Sequence, residues 1–260
     1  MCTLAIYFQV FPDRPVVVAA NRDEVVDRPA LPPTLLTQAP AIAGGKDLKA
    51  GGTWLAINQF GVVAGLLNRR SPAPADPTLR SRGQLCLQAL HYPSVEQSVG
   101  FVTRQDGAAY NPFNLLIASP HAAVVADNRG GRIRTTRLAP GLHLLTNLDV
   151  DDFECPRISA AFDRFRALCD EPALGDRGPE LRARLGRILA DHSTQLDPRS
   201  NRPNALCVHG DKFGTRSSSL ISIGPAGGSE HFFAPGPPCV SAYARAAIRE
   251  LPALDSPEAG

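Results

Sequence analysis

No apolar run in this chain approaches the roughly 20 residues that a helix needs to cross a bilayer, so no membrane span is expected. No charged n-region precedes an apolar h-region at the start, so a secretory signal is not expected either. Charge of one sign is also lacking. Lys and Arg total 27 against 25 Asp and Glu, a net charge of +2, which gives no electrostatic case for nucleic acid. The stretch with Arg129, Arg132, Arg134 and Arg137 reads most simply as a solvated strand face. The six Cys, at 2, 86, 155, 169, 207 and 239, include no CxxC pair, which disfavours zinc ribbons and thioredoxin chemistry. No CxxCH is present to attach haem, and the six His are dispersed without HExxH or paired spacing, so no metal site is expected. The thiols are expected to be reduced, in a cytoplasmic protein. No internal repeat or domain linker stands out.

What is present begins at Cys2. Removal of Met1 is expected before so small a side chain, and it would leave a thiol and a free α-amine on one residue. That amine titrates at about 7.7–8.0, so it can serve as a base near neutral pH. A nucleophile beside its own base is the arrangement of N-terminal-nucleophile enzymes. The alternative is a small buried hydrophobe without a role. Protonated, the amine is expected to lower the thiol pKa, while the other Cys lie in apolar or helical contexts that point to burial.

Thr3 to Val10 reads as one strand and Pro15 to Ala20 as a second, around turn chemistry at Phe11-Pro12-Asp13-Arg14. A hairpin centred between Pro12 and Asp13 would set Cys2 opposite Asp23. Asn21 would then share the Cys2 face, with Arg22 and Glu24 pointing away; a slip of one residue reverses this. In either register the polar run Asn21-Arg22-Asp23-Glu24 arrives beside Cys2.

These residues, together with Asp27-Arg28-Pro29, Ala43 to Leu48, Gly51-Gly52-Thr53-Trp54-Leu55, Phe113-Asn114-Leu115-Leu116 and Gly214 to Ser218, resemble the NRDE family, also called the Transport and Golgi Organisation family. The motifs run in family order to about residue 225. That family is similar to cysteine N-terminal-nucleophile hydrolases such as choloylglycine hydrolases and penicillin acylases. The resemblance implies Cys2 as nucleophile, Asp23 near the amine, Asn68 and Asn147 as oxyanion donors and Arg216 as the late active-site arginine. One position departs: those hydrolases carry an Arg before the Asn-x-Asp stretch, where this chain has Ala20, with Arg22 two residues on.

Further along, Arg28 to Pro40 reads as a Pro-rich connection, and Thr53–Ile57 with Val62–Leu67 as a second hairpin that brings Gly51 and Gly52 near Asn68. The glycines either admit a ligand to the backbone or make a sharp bend. Trp54 is either core or a wall for a ligand. Helices are expected from Ser81 to Leu90, from Ser94 to Arg104, on the face Ile158, Ala161, Phe162, Phe165 and Leu168, and on the face Leu181, Leu185, Ile188 and Leu189. Strands are expected at 114–119, 122–126, 133–138, 142–146, 205–209, 217–223 and 230–234, then a short helix at 241–251 and a fraying tail at 251–260. Hydrophobic residues at 43% suffice for a substantial core, and 1–260 reads as a single domain.

Strands, then helices, then strands indicate an α/β layered domain with largely antiparallel sheets, which the resemblance sharpens to an αββα sandwich. In that setting Cys2 and its amine would supply nucleophile and base for acyl transfer, with Asn68 and Asn147 as donors, unless each Asn merely ends its strand. Arg216 would hold Asp23 or a substrate carboxylate. Asn21, Arg22, Glu24, Gly51, Gly52 and Trp54 would support the site or the substrate. The expected activity is a Cys2-dependent hydrolase or acyltransferase on a non-peptide amide or thioester, requiring no cofactor. The family's association with haem trafficking and lipid metabolism implies an alternative, a cleft for haem or an acyl lipid with little turnover. A third reading, a Golgi structural factor, rests on the family name alone.

Overall fold

The computed structural model describes residues 2–129, 131–169, 178–192 and 205–246. Two antiparallel sheets form its centre. Strands β1 (Thr3–Phe11), β2 (Arg14–Val25), β10 (Gly141–Leu145), β11 (Phe213–Ile223), β12 (Ser229–Ala234) and β13 (Ala244–Arg245) make a six-stranded sheet in the order β10-β1-β2-β11-β12-β13. The other sheet runs in chain order: β3 (Ala30–Gln38), β4 (Ala41–Asp47), β5 (Leu55–Asn58), β6 (Val63–Asn68), β7 (Phe113–Ala118), β8 (Ala123–Asn128) and β9 (Arg134–Arg137). Among the described residues, four α-helices lie outside the sheets: α1 (Arg82–Ala89), α2 (Val95–Thr103), α3 (Pro156–Arg166) and α4 (Gly178–Leu189).

Three apolar clusters show how the layers stack. Leu4, Ile6, Phe8, Val16 and Val18 of the first sheet meet Leu55, Ile57, Val63, Leu67 and Leu116 of the second. Ala5, Tyr7, Val17 and Ala19, the alternate residues of the same strands, pack on Ile158, Phe165, Leu181 and Leu185 of α3 and α4. The outer face of the second sheet packs on Leu85, Val95 and Val102 of α1 and α2. The result is an αββα sandwich, as expected. Burying each such side chain contributes about 1.5–3 kcal/mol, so the period-2 alternation of β1 and β2 fixes which face turns inward.

The first hairpin turns where the sequence places it, with Phe11 opposite Arg14. Its register nevertheless differs from the expected one. Between Phe8 and Phe11 the pairing shifts, because Gln9 and Val10 of β1 stand against Pro15 alone. Gln9 adopts φ 54°, the left-handed conformation of a bulge residue, and its amide donates to the Pro120 carbonyl at 2.9 Å. Beyond the bulge Thr3 pairs with Asn21, so Cys2 falls opposite Arg22, not Asp23. The expected faces are therefore reversed. Cys2, Ala20 and Arg22 turn toward the sandwich interior; Asn21 and Asp23 turn toward the helices.

Other elements differ as well. The Pro-rich connection forms β3, an edge strand with register shifts on either side of Thr34 and Leu35, close to Pro32 and Pro33; the edge is where a sheet tolerates a residue without an N–H. Residues 205–209 are not a strand: Cys207 N–H donates to Asp191 O at 2.9 Å, at the end of α4. Ala244–Arg245 pair with β12 where a helix was expected from Ser241; residues 247–251 of that expectation, and the tail 251–260, lie outside the described residues. Ser81 and Ser94 cap α1 and α2, accepting from the N–H groups of Gln84 and Gln97.

Asn58 ties the second sheet to its helical layer. Its amide donates to the carbonyls of Leu90 and Tyr92, and its Oδ1 accepts from the N–H groups of Phe60 and Val62. Asn58→Ala leaves these backbone groups without partners and is expected to cost about 2–4 kcal/mol, read as a lowered midpoint in urea at unchanged slope.

Candidate active site

Cys2 stands where two recesses meet. The smaller, about 20 Å³, is largely apolar, with Leu4, Ala20, Trp54, Leu66 and Leu67 among its walls. The larger is a cleft of about 680 Å³ that runs from Cys2 past Arg22, Trp54 and Asn68 to the loop before α1 and the first residues of that helix. Five cations line it (Arg22, Arg28, Lys49, Arg80 and Arg82) against three carboxylates, Glu24, Asp47 and Asp76.

Arg22 is the side chain that β2 delivers to the Cys2 face. Its guanidinium lies 4.3 Å from the centre of the Trp54 ring and 3.4 Å from Asp47. Asp47 also accepts from Arg28 at 2.6 Å, and Glu24 lies 3.7 Å from the same Arg28. Burial works against the Asp47 charge, but Arg28 and the N–H groups of Lys49 and Ala50 outweigh it and hold the carboxyl below its usual range. Trp54 is half-buried, packing against the inter-sheet core while it lines both recesses; a side chain at Gly45 would meet its ring at 2.2 Å. Gly51 and Gly52 have φ of +64° and +86°, and a Cβ on Gly52 would come within 2.2 Å of the Gly83 backbone. These glycines make a bend pressed against the start of α1.

Asp23 sits on the other face of β2, in contact with the helical layer. Its side chain is fully buried, accepting from Thr215 Oγ1 at 2.7 Å and Arg157 Nη1 at 3.3 Å. Arg157 also donates to Thr3 Oγ1 at 3.1 Å. Truncating one partner of such a buried pair typically costs about 3–5 kcal/mol. Asn21 is fixed similarly, donating to the carbonyls of Leu189 at 2.9 Å and Leu206 at 2.8 Å. What reaches Cys2 from Asp23 is the backbone: its carbonyl accepts from Cys2 Sγ at 3.5 Å.

The remaining predicted residues divide. Asn68, exposed at the end of β6, lines the large cleft with Cys2. Asn147 lies two residues past the last pair of β10, opposite Cys2 if the β1 register is extended, and its Oδ1 is enclosed without a hydrogen-bond partner. Asn114 steadies that strand end, donating to the carbonyls of Thr146 and Leu148 at 3.0 and 2.6 Å and accepting from Arg69 at 3.0 Å. Arg216 is half-buried at the shift in pairing between Thr215 and Ser217, and makes no hydrogen bond or ion pair with Asp23 among the described residues. Arg157 occupies the place expected of it. Its signal in the sequence is an arginine four residues before Ala161 and eight before Phe165, on the apolar stripe of α3.

Residues 1–233 match the family model for Transport and Golgi organisation 2. The chain belongs to that family. A Bos taurus Transport and Golgi organization protein 2 homolog is 31% identical over 260 residues, covering 85% of this chain and 88% of its own. The Homo sapiens homolog is 27% identical over 256 residues with the same coverage, 85% and 88%. Among solved structures, penicillin V acylase from Agrobacterium tumefaciens aligns with a TM-score of 0.55 at 14% identity, covering 90% of this chain and 83% of its own. A C2A mutant of conjugated bile acid hydrolase from Clostridium perfringens gives 0.54 at 11%, covering 90% and 88%. The Caenorhabditis elegans ortholog of N-acylethanolamine-hydrolyzing acid amidase gives 0.51 at 14%, covering 84% and 92%. At such identities the likeness shows the fold, that of N-terminal-nucleophile hydrolases.

The thiol's environment differs from expectation in one respect. Burial pushes the Cys2 thiol up and the Asp23 carboxylate adds to this; the amino-terminal charge and Arg22 pull it down without cancelling the rise. Cys2 also has an accessible rival, since Cys239 is exposed and not buried. Alkylation of Cys2 by iodoacetamide is expected to keep accelerating above about pH 8.5, where an ordinary thiol is half ionised. Peptide mapping after timed exposure checks it; a plateau below that pH would mean an activated thiolate instead.

Proposed function

We propose that the protein is a Cys2-dependent hydrolase or acyltransferase acting on a non-peptide amide or thioester. The observation that carries this reading is Cys2 Sγ at the junction of an apolar recess and a polar, cation-rich cleft. A small apolar group of the acyl part, about the size of a methyl, suits the recess. A leaving group bearing anionic or polar groups suits the cleft, with Arg22 the side-chain cation that β2 sets opposite Cys2. The sulfur would attack the acyl carbonyl, its proton passing to the α-amine of Cys2 once Met1 is removed and then to the departing amine or thiol. Water or an acceptor would then cleave the thioester at Cys2, releasing acid or transferred acyl group. Asn68 and Asn147 are proposed as the oxyanion donors; each such donor typically contributes about 3–4 kcal/mol. The names of the structural neighbours — acylase, hydrolase, amidase — agree with this reading.

A second reading keeps the same cleft for haem or an acyl lipid with little turnover. The size of the cleft and its five cations favour it, because they would hold the carboxylates of such a ligand without any step at Cys2.

Intact mass after exposure to panels of acyl-CoA and acyl-amide compounds, with Cys2→Ala as control, separates the two. Acyl transfer predicts a transient adduct at Cys2 and product formation. Both should vanish in Cys2→Ala while its melting temperature is kept, and the rate should fall at least about 100-fold in Asn147→Ala. Haem or lipid binding that survives in Cys2→Ala, without an adduct on the wild-type protein, would favour the second reading.

A further inference from the structure

Away from the cleft, two cysteines and two histidines that are scattered in sequence converge in space. His192 follows the end of α4, Cys207 and His209 lie just before β11, and Cys239 lies in the loop after β12. One ligand atom from each lies within 4.8 Å of every other. The two sulfurs are 3.7 Å apart; Nε2 of His209 is 3.8 Å from Cys207 Sγ and 3.2 Å from Cys239 Sγ.

We propose that His192, Cys207, His209 and Cys239 form a tetrahedral zinc site of structural type. Zn–S bonds of about 2.3 Å and Zn–N bonds of about 2.0–2.1 Å give tetrahedral edges of about 3.8 Å between sulfurs and 3.5–3.6 Å between sulfur and nitrogen. The Cys207–Cys239 and Cys207–His209 separations lie close to those edges, so closure needs only small side-chain movements. Two thiolates and two neutral imidazoles balance the charge of Zn²⁺, and four protein ligands leave no open position for a substrate. Nδ1 of His192 lies 3.2 Å from the Cys207 carbonyl, a hydrogen bond that holds the ring and leaves the lone pair on Nε2.

The site would fasten three segments to the outer side of the sheet that carries Cys2. Asn21 already bridges two of them, through Leu189 O and Leu206 O. Val208, between two ligands, accepts from the Thr215 N–H and donates its own N–H to the Thr215 hydroxyl, which in turn donates to Asp23. Metal loading would thus stiffen the support beneath β2 without entering the cleft.

The test uses the full chain, untagged and purified under reducing conditions without chelator. Elemental analysis should find about one equivalent of zinc, and Co²⁺ loading of the stripped protein should give the visible and thiolate charge-transfer bands of a tetrahedral sulfur-nitrogen site. Cys239→Ser and His209→Ala, both changes at exposed positions, should weaken Co²⁺ affinity at least about tenfold while circular dichroism confirms folding. Cys2→Ala should bind as wild type does. Substoichiometric metal, undiminished binding in Cys239→Ser and His209→Ala, loss of binding in Cys2→Ala, or a Cys207–Cys239 disulfide in metal-free protein would each overturn the proposal.

Discussion

One extra residue in β1 decides which side chains share a space with Cys2. The bulge at Gln9 and Val10 keeps Leu4, Ile6 and Phe8 on the same face as Val16 and Val18, where all five are buried between the sheets. Without it, the same turn would aim Asn21 and Asp23 into the sandwich and Val16 and Val18 away from it. That exchange would bury an amide and a carboxylate in apolar surroundings, at several kcal/mol each. The bulge therefore follows from the core, and the cleft chemistry follows from the bulge. Arg22 faces the thiol, while the carboxylate of Asp23 braces the strand from behind.

The NRDE run serves two layers at once. Its odd members grip the helical side: Asn21 through the carbonyls at 189 and 206, Asp23 through Thr215 and Arg157. Its even members face the cleft, where Arg22 stacks on Trp54 and joins Glu24, Arg28 and Asp47 in a chain of ion pairs. A motif that looks like a cluster of catalytic groups is thus half anchor and half lining. Ala20, where related hydrolases are expected to carry Arg, points the same way as Arg22, so the cation at this face is displaced along the strand by two residues.

Much of this was legible in the residues alone. Alternation gave the strands, Ser81 and Ser94 gave the helix starts, and the Phe11–Arg14 turn was centred correctly. Its register was not, because a left-handed residue at Gln9 has no sequence mark when the residue is not glycine. The β3 edge was hidden by Pro32 and Pro33, which only an edge strand accommodates. Residues 205–209 alternate like a strand, yet their backbone is held by the end of α4 and by Thr215. Arg157 was overlooked as one of many arginines, although it alone sits on the apolar stripe of α3. The convergence of His192, Cys207, His209 and Cys239 leaves no trace in spacing, since three separate segments supply the ligands.

The central claim, that Arg22 and not Asp23 shares the cleft with the Cys2 sulfur, is tested most directly by the charge preference of Cys2 alkylation. The quantity is the rate ratio for iodoacetate over iodoacetamide at Cys2, measured by peptide mapping at low ionic strength, where such fields are least screened. Arg22→Ala is expected to lower this ratio several-fold, while Asn21→Ala, on the far face of the same strand, is expected to leave it unchanged. An unchanged ratio in Arg22→Ala, or an equal fall in Asn21→Ala, would contradict the claim.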